Sequence, residues 1–235
     1  MSVATQRYIT GEYDVDFGDD QFKAEQILRL LANIPDLKML SSYADVGCGN
    51  GGTFAGIYDG LIRFGCPLER AVGYDLLPEE KFRAHGRAGI SYKRMNFFED
   101  DQDFDLITLN DVIEHVLKPQ EFCSKISQRA RYVAFHIPLD DRLSVLFTNQ
   151  FNCRLQSVGH VSFWSPATAL NLLTASGLLP IHCCFTPGFK APSSRARLIQ
   201  RLAHPFRWIM WRINPGLMSA TIGGVSLAVL CRGQK

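Results

Sequence analysis

The sequence predicts an α/β domain in which a mainly parallel sheet is covered by helices on both faces. Three observations carry this. Short runs rich in aliphatic and aromatic residues alternate with segments of helical periodicity, at the spacing that right-handed β-α-β crossovers need. A glycine-rich turn, Gly47-Cys48-Gly49-Asn50-Gly51-Gly52, joins one such strand to one such helix. With 235 residues, 46% hydrophobic and 20% charged, the chain can fill one core and is too apolar to stay disordered.

Asp20–Leu40 places apolar residues at Phe22, Ala24, Ile27, Leu28, Leu30, Leu31 and Ile34, a helical spacing, with Asp20 positioned to cap its start. A strand, Tyr43–Val46, runs into the glycine turn, and Thr53–Phe64 reads as the helix that follows. Arg70–Tyr74 is a second strand ending at Asp75, and Pro78 suits the first turn of a helix reaching about His85. Ile90–Met95 and Phe104–Asn110 read as the third and fourth strands. Lys118–Ala130 is helical, and Tyr132–Ile137 is a fifth strand stopped by Pro138. There the rhythm changes. Leu139–Gly159 mixes apolar and polar residues irregularly. Ser165–Ser176 is a helix with Ser165 as cap, Pro166 at its first position and Gly177 at its end. Leu178–Phe185 and Thr221–Cys231 complete the strands, and between them Pro187–Ala220 is an arginine-rich insertion. The chain therefore reads as a single domain over residues 1–235. Within it, 1–40 form an N-terminal helix or lid, 139–164 an irregular substrate-side segment, and 187–220 a basic insertion.

Composition excludes several classes. Met1–Asp20 carries Glu12, Asp14, Asp16, Asp19 and Asp20 and no apolar run, unlike a signal peptide. No apolar stretch is long enough to span a bilayer, and 7 cysteines at irregular spacing do not make a disulfide framework. A soluble cytoplasmic protein is expected. The net charge of +2 hides an asymmetry: all 23 acids and 15 of the 25 bases lie in Met1–Asp141, a formal −8. Arg142–Lys235 has ten bases and no acid, +10. Either the two halves serve partners of opposite charge, or both faces are merely solvated.

Gly47, Gly49 and Gly52 match the G-x-G-x-x-G spacing of a nucleotide loop, after a strand and before a helix as the mechanism requires. Asp75, at the tip of the next strand, is placed to accept from both hydroxyls of a ribose. Asp45, two residues before the first glycine, would repel a pyrophosphate. Asp111 and Glu114 lie just past the fourth strand at the same sheet edge. A ligand with an α-amino group and a sulfonium welcomes those carboxylates, so electrostatics favour S-adenosyl-L-methionine over NAD.

Ala44-Asp45-Val46-Gly47-Cys48-Gly49-Asn50-Gly51 resembles the first motif of class I S-adenosylmethionine-dependent methyltransferases. Asn110-Asp111-Val112-Ile113-Glu114-His115-Val116 resembles the motif after the fourth strand in the branch that contains ubiquinone-biosynthesis O-methyltransferases. Gly159-His160-Val161-Ser162-Phe163-Trp164-Ser165-Pro166 is also similar to that branch. The resemblance spans most of Ala24–Gly177. It implies a Rossmann-like, seven-stranded sheet whose last strand is antiparallel. It also implies that Asp45, Gly47, Cys48, Gly49 and Gly51 hold the methionine moiety, with Asp75 and Leu76 at the ribose. Asn96 and Phe97 would contact the adenine and Asn110 the methionine end. Relatives often have Asp where this chain has Asn96, whose carbonyl can still accept from an adenine amino group.

Methyl transfer from a sulfonium mainly requires alignment and exclusion of water, with a base only for a protonated nucleophile. His115 and His160 are the candidate catalytic residues; the alternative for His160 is a structural hydrogen bond. His136, inside the fifth strand, reads as a satisfied core residue, and Cys183-Cys184 as core filling. Asp111, Glu114 and His115 would share one helical face, a pattern that some relatives use for a divalent ion. A capping box from Asp111 to Glu114 is the favoured reading, so no metal is expected. The Asn/Asp-Pro-Pro-aromatic motif of many nucleobase and amide methyltransferases is absent.

Ser194–Ile213 interleaves five arginines with apolar residues at helical spacing, broken at Pro205, and adds Trp208 and Trp211. Two readings stand: an amphipathic element on an anionic membrane, or a lid over the substrate pocket. Nucleic acid is disfavoured by a total charge near zero. The expected function is methyl transfer to a small-molecule, glycan or lipid-linked acceptor, an anionic one included, most readily at oxygen. The alternatives are N-methylation of a small amine and a non-catalytic S-adenosylmethionine-binding sensor or scaffold. Asp45 argues against a NAD-dependent oxidoreductase.

Overall fold

The structure is a computed structural model that describes Tyr8, Thr10 and residues 18–82, 88–147, 150–195 and 198–235. Its strands are β1 (Ser42–Val46), β2 (Arg70–Asp75), β3 (Ser91–Arg94), β4 (Phe104–Asn110), β5 (Ala130–Pro138), β6 (Leu179–Thr186) and β7 (Ser226–Arg232). They form one sheet in the order β3-β2-β1-β4-β5-β7-β6. The first five pair in parallel, and β7 runs antiparallel to both β5 and β6. This is the Rossmann-like, seven-stranded arrangement expected, closed by one antiparallel hairpin.

Successive side chains of a strand point to opposite faces, and both faces here are apolar. Ala44, Ile107, Val133 and Phe135 enter one buried cluster, with Cys123 and Ile126 of α3 (Pro119–Ser127) and Ala169 and Leu173 of α5 (Pro166–Ala175). Tyr43, Leu106, Tyr132 and Ala134 enter the other, with Ile27, Leu28 and Leu31 of α1 (Asp20–Leu31) and Phe54, Ile57 and Leu61 of α2 (Gly52–Arg63). The two helices on this second face approach closely because α2 presents Gly52, Gly56 and Gly60 to α1. A Cβ on Gly56 would stand 2.8 Å from Ala24 Cβ, and one on Gly52 or Gly60 would collide with Asp20 or Leu28. The stripe brings the start of α1 against the glycine turn.

Several elements differ from the sequence reading. The first helix stops at Leu31, ahead of Pro35, and only a 3-10 turn, Leu37–Met39, follows. Asp20 does not cap it; it is the first helical residue, and its carboxylate accepts from Thr53 Oγ1 at 3.0 Å. Glu79–Lys81 makes a single 3-10 turn and Phe82 is extended, so no helix runs from Pro78 through the described part, and His85 lies outside the described residues. The segment expected to be irregular contains a 3-10 turn, Leu143–Phe147, and α4 (Gln150–Ser157). Pro205 does not break its helix: α6 spans Leu198–Ile213. A proline removes one backbone donor, and here its ring stands on an exposed side of the helix. Thr221 ends α7 (Pro215–Thr221), capped by Asn214, so the last strand begins only at Ser226. Ser165 forms a full capping box with Thr168, and Gly177 takes φ +80 after the helix, both as expected.

Candidate functional site

Parallel pairing aligns the carboxyl ends of β1, β2 and β4, and the glycine turn opens onto that edge. Gly47, Gly49 and Gly51 have φ of +78, +56 and +80, a region that strains any residue with a Cβ. Gly47 N–H and Cys48 N–H donate to Tyr74 O at 2.8 and 3.1 Å, folding the turn over β2. Gly49 N–H donates to Asp75 Oδ2 at 2.7 Å, while Leu76 and Leu77 N–H donate to Asp75 Oδ1 at 2.7 and 2.9 Å. The Tyr8 hydroxyl lies 3.0 Å from both carboxylate oxygens of Asp75. Burial raises the Asp75 carboxyl above its usual value, and these donors hold it partly down.

Asp45 is buried beneath the turn. Its Oδ1 accepts from Thr108 Oγ1 at 2.6 Å and Asn110 Nδ2 at 3.0 Å, and Tyr43 extends the chain to Thr108 at 2.9 Å. Asp45 Oδ2 and Asn110 Oδ1 are both buried without a partner. Burial pushes the Asp45 carboxyl up to about 7, against those two hydrogen bonds. Two orphaned acceptors beside a glycine turn fit an ammonium group, which would supply the missing donors.

Past β4 the chain does not form the helix that a capping box needs. Asp111 takes φ +56, and Ile113–His115 is a single 3-10 turn without a side-chain cap. The Asp111 carboxylate instead meets Lys23 Nζ at 2.8 Å and His136 Nδ1 at 2.7 Å. Burial alone would raise it, but those two groups hold it well below the usual carboxylate range. His136 also meets Thr186 Oγ1 at 3.0 Å, so both its nitrogens are engaged.

Glu114 is 1% exposed, and neither of its carboxylate oxygens has a partner. His115 Nε2 and His160 Nε2 each lie 4.0 Å from Glu114 Oε1, and the two rings are edge to face at 4.9 Å. Val161 and Ser162 N–H donate to Glu114 O at 2.8 and 3.0 Å, which fixes the two segments to each other. Burial, then the charge of Asp111, pushes the Glu114 carboxyl well up. Burial, then His160, brings the His115 imidazole down to about 4, so it is neutral at pH 7. With Gly159 O 3.2 Å from His115 Nδ1, the neutral proton sits on Nδ1 and the Nε2 lone pair is free. His160 Nδ1 faces Asp140 Oδ2 at 3.4 Å. Among the described residues Glu114, His115 and His160 are a set whose ligand atoms lie within 4.8 Å, close enough to hold a metal ion.

A methyltransferase domain family matches residues 19–182. The chain belongs to this family. The fold of this methyltransferase is shared by solved structures at low identity. Magnesium protoporphyrin IX methyltransferase from Synechocystis PCC 6803, solved with bound S-adenosylhomocysteine, has TM-score 0.57 and 15% identity, over 97% of this chain and 92% of its own. A Galdieria sulphuraria protein described as a sarcosine dimethylglycine methyltransferase has TM-score 0.59 and 19% identity, covering 97% and 96%. The mitomycin 7-O-methyltransferase has TM-score 0.56 and 17% identity, covering 91% of this chain and 54% of its own. No curated protein matches the methyltransferase.

The structure brings Asp45, Gly47, Cys48, Gly49, Gly51, Asp75, Leu76 and Asn110 to one sheet edge, and His115 to His160. Phe97 does not face that edge with its ring, which is buried edge-on to Tyr74 at 5.1 Å. The Asn96 side-chain Oδ1 accepts from Phe98 N–H at 3.1 Å and caps the next turn. The sequence reading missed Thr108 and Asp140, and the choice of Glu114 over Asp111 as partner of the histidines. Thr108 had a signal: it sits two residues before Asn110 on the same strand face. Asp140 had none, because His160, the member of the cluster it faces, lies far along the chain. Tyr8, from the N-terminal segment, reaches Asp75.

Proposed function

We propose that this methyltransferase transfers the methyl group of S-adenosylmethionine to an oxygen of a hydroxylated small-molecule, glycan or lipid-linked acceptor. The observation that carries the proposal is the Glu114–His115–His160 recess, a cluster past the end of β4 in which Glu114 and His160 are buried, His115 is half-buried and the Glu114 carboxylate has no hydrogen-bond partner. Asp45 and Asn110 would hold the ammonium end of the cofactor, and Asp75 its ribose hydroxyls, after exchanging the Tyr8 hydroxyl for them. When bound, the sulfonium offers a methyl carbon with a neutral leaving group, so the chain's work is alignment and exclusion of water. His115, at about 4, is a weak base: its Nε2 orients an acceptor hydroxyl better than it deprotonates one.

That weak basicity, with the orphaned Glu114 carboxylate, favours a second reading of the same recess. A divalent ion held by Glu114, His115 and His160 would supply Lewis acidity to the acceptor oxygen.

The test is a methyl-transfer assay with S-adenosylmethionine against catechols, anionic phenols, sugars and primary amines, before and after metal chelation. Transfer to hydroxyls supports the proposal. Transfer confined to amines overturns the oxygen assignment, and tight S-adenosylhomocysteine binding without turnover points to a sensor. Loss of turnover on chelation, restored by Mg²⁺ or Mn²⁺, selects the metal reading. His115→Ala is expected to lower kcat by roughly 10²-fold while the Kd for S-adenosylhomocysteine stays within about twofold, since His115 touches the acceptor side only.

A further inference from the structure

The family match ends at residue 182, inside β6, and the segment between β6 and β7 lies beyond it. Its main helix, α6, is apolar on two sides. Met210 and Trp211 pack onto the core cluster, with Trp211 6.1 Å from Phe189. The opposite side has no such cover: Phe206 is 57% exposed, Ile209 51% and Ile213 71%, and Leu217 of α7 follows at 50%. Positions 206, 209 and 213 recur at the helical interval, which makes a stripe rather than scattered residues. Trp208, 42% exposed, flanks the stripe, and the Arg212 guanidinium lies 4.4 Å from the centre of its ring.

At the inner border of the stripe lies a cleft of about 240 Å³ bounded by Arg142, Gln150, Phe206, Arg207 and Ile222. Two consecutive glycines lie against its arginines. Gly223 and Gly224 take φ of +71 and +80; a side chain at Gly223 would collide with Arg142, and a Cβ at Gly224 would lie 3.6 Å from the Arg207 guanidinium. The nearest carboxylate to Arg142 is Asp140, at 2.8 Å, which also faces Arg154 and His160, each at 3.4 Å. The sequence offers no acid beyond Asp141 to offset Arg207. Burial, then the charge of Arg142, lowers Arg207 below its usual value. Arg142 donates to Asp140, Ser144 and Gln150, so Arg207 is the guanidinium of this cleft left to favour an anion.

We propose that this face docks on an anionic membrane, with the Phe206–Ile209–Ile213–Leu217 stripe in the acyl boundary and a lipid headgroup phosphate against Arg207. Charge complementarity selects the occupant: arginines border an apolar stripe with no acid in the surrounding half of the sequence, the pattern of a helix lying in an anionic interface. An RNA would want planar stacking surfaces in a basic groove, whereas the outward stripe is mostly aliphatic. The insertion is also tied to the catalytic edge, since Ser193 N–H donates to Asp19 Oδ1 at 2.9 Å and its hydroxyl to Asp19 Oδ2. The turn that leads into α6 is therefore anchored to the start of α1, an arrangement that suits an acceptor residing in the membrane.

Vesicle co-sedimentation tests the proposal, with full-length protein, phosphatidylcholine vesicles and 7:3 phosphatidylcholine–phosphatidylglycerol vesicles at low and high salt. The expected result is at least tenfold tighter binding to the anionic vesicles at low salt, a blue shift of tryptophan fluorescence on binding, and release at high salt. Ile209→Ser with Ile213→Ser is expected to abolish the shift, and Arg207→Gln to weaken binding about fivefold. Unchanged S-adenosylhomocysteine affinity in both variants shows that the fold is intact. Absence of anionic-vesicle binding at low salt overturns the proposal. So does vesicle binding that neither variant changes, or retention on single-stranded RNA in place of vesicles.

Discussion

Asp45 concentrates the electrostatics of the cofactor end in one side chain. Burial raises its carboxyl from the free value to about 7. A carboxyl raised in the folded state favours folding below its unfolded pKa, and that contribution is lost as pH rises through about 7. Asp45→Asn removes the titration: its amide oxygen can still accept from Thr108 and Asn110, and its NH₂ can donate to the orphaned Asn110 Oδ1. The ligand-free variant is expected to be more stable than wild type at pH 8, by a few kcal/mol, and close to it at pH 4, as read by urea unfolding. An ammonium ligand acts in the opposite sense on wild type, because it draws the carboxyl down. Affinity for S-adenosylhomocysteine should rise from pH 5 to pH 8 with proton uptake by the buffer, visible when calorimetry is repeated in buffers of different ionisation heat. In Asp45→Asn affinity should be weak and independent of pH over that range.

Among the elements, the α1–α2 pair decides how the site is assembled. Gly52, Gly56 and Gly60 recur every four residues, so one side of α2 lacks Cβ atoms and α1 lies directly on it. The contact carries Asp20 to Thr53 and Lys23 to Asp111, and through Lys23 it keeps Asp111 charged and away from the histidine recess. Gly56→Val would drive a branched side chain into Ala24, whose Cβ cannot rotate away. The expected cost is about 2 kcal/mol in urea unfolding, with weaker S-adenosylhomocysteine binding because α1 also carries the tie to the glycine turn. The spacing of these glycines stands in the sequence, but its meaning appears only when α1 lies on them. The turn after β4 teaches the converse. Asp111 to Glu114 has the spacing of a capping box, yet Lys23 and His136, from elsewhere in the chain, claim Asp111 and leave Glu114 to the histidines.

In the whole molecule, the parallel order of the first five strands gathers residues from the ends of β1, β2 and β4 at one edge, and the antiparallel β7 returns the basic insertion to the same side of the fold. A ligand bridging those ends ties together both helical layers. Saturation with S-adenosylhomocysteine at about 100 times its Kd is expected to stabilise the fold by about 2.7 kcal/mol, a rise of about 5–10 °C in Tm. Asp75→Ala at the same ligand concentration should show little of that rise, since three backbone N–H groups and the ribose share its carboxylate. No described helix is long and apolar enough to cross a membrane. The apolar stripe of α6 must therefore lie along a surface if it meets lipid at all.

Strand–helix alternation, the glycine turn, Asp45 and Asp75 were legible in the sequence because each rests on local rules: side-chain period, left-handed φ at glycine, charge at a strand tip. So was the helix at Ser165, whose cap, proline and terminal glycine are all local. The helix at Pro215, which buries Met218, and the continuity of α6 through Pro205 depended on packing that outweighs propensity; the early end of the first helix follows from Pro35, a local signal. The recess of Glu114, His115 and His160 was decided by tertiary structure alone. It brings together segments separated by 44 residues of chain through the His115–Gly159 contact, and the competition between Lys23, His136 and Glu114 for nearby groups exists only once the sheet has formed. Periodicity and backbone stereochemistry act over a few residues and can be read in one dimension. Burial and charge pairing act through space, and so they wait for the fold.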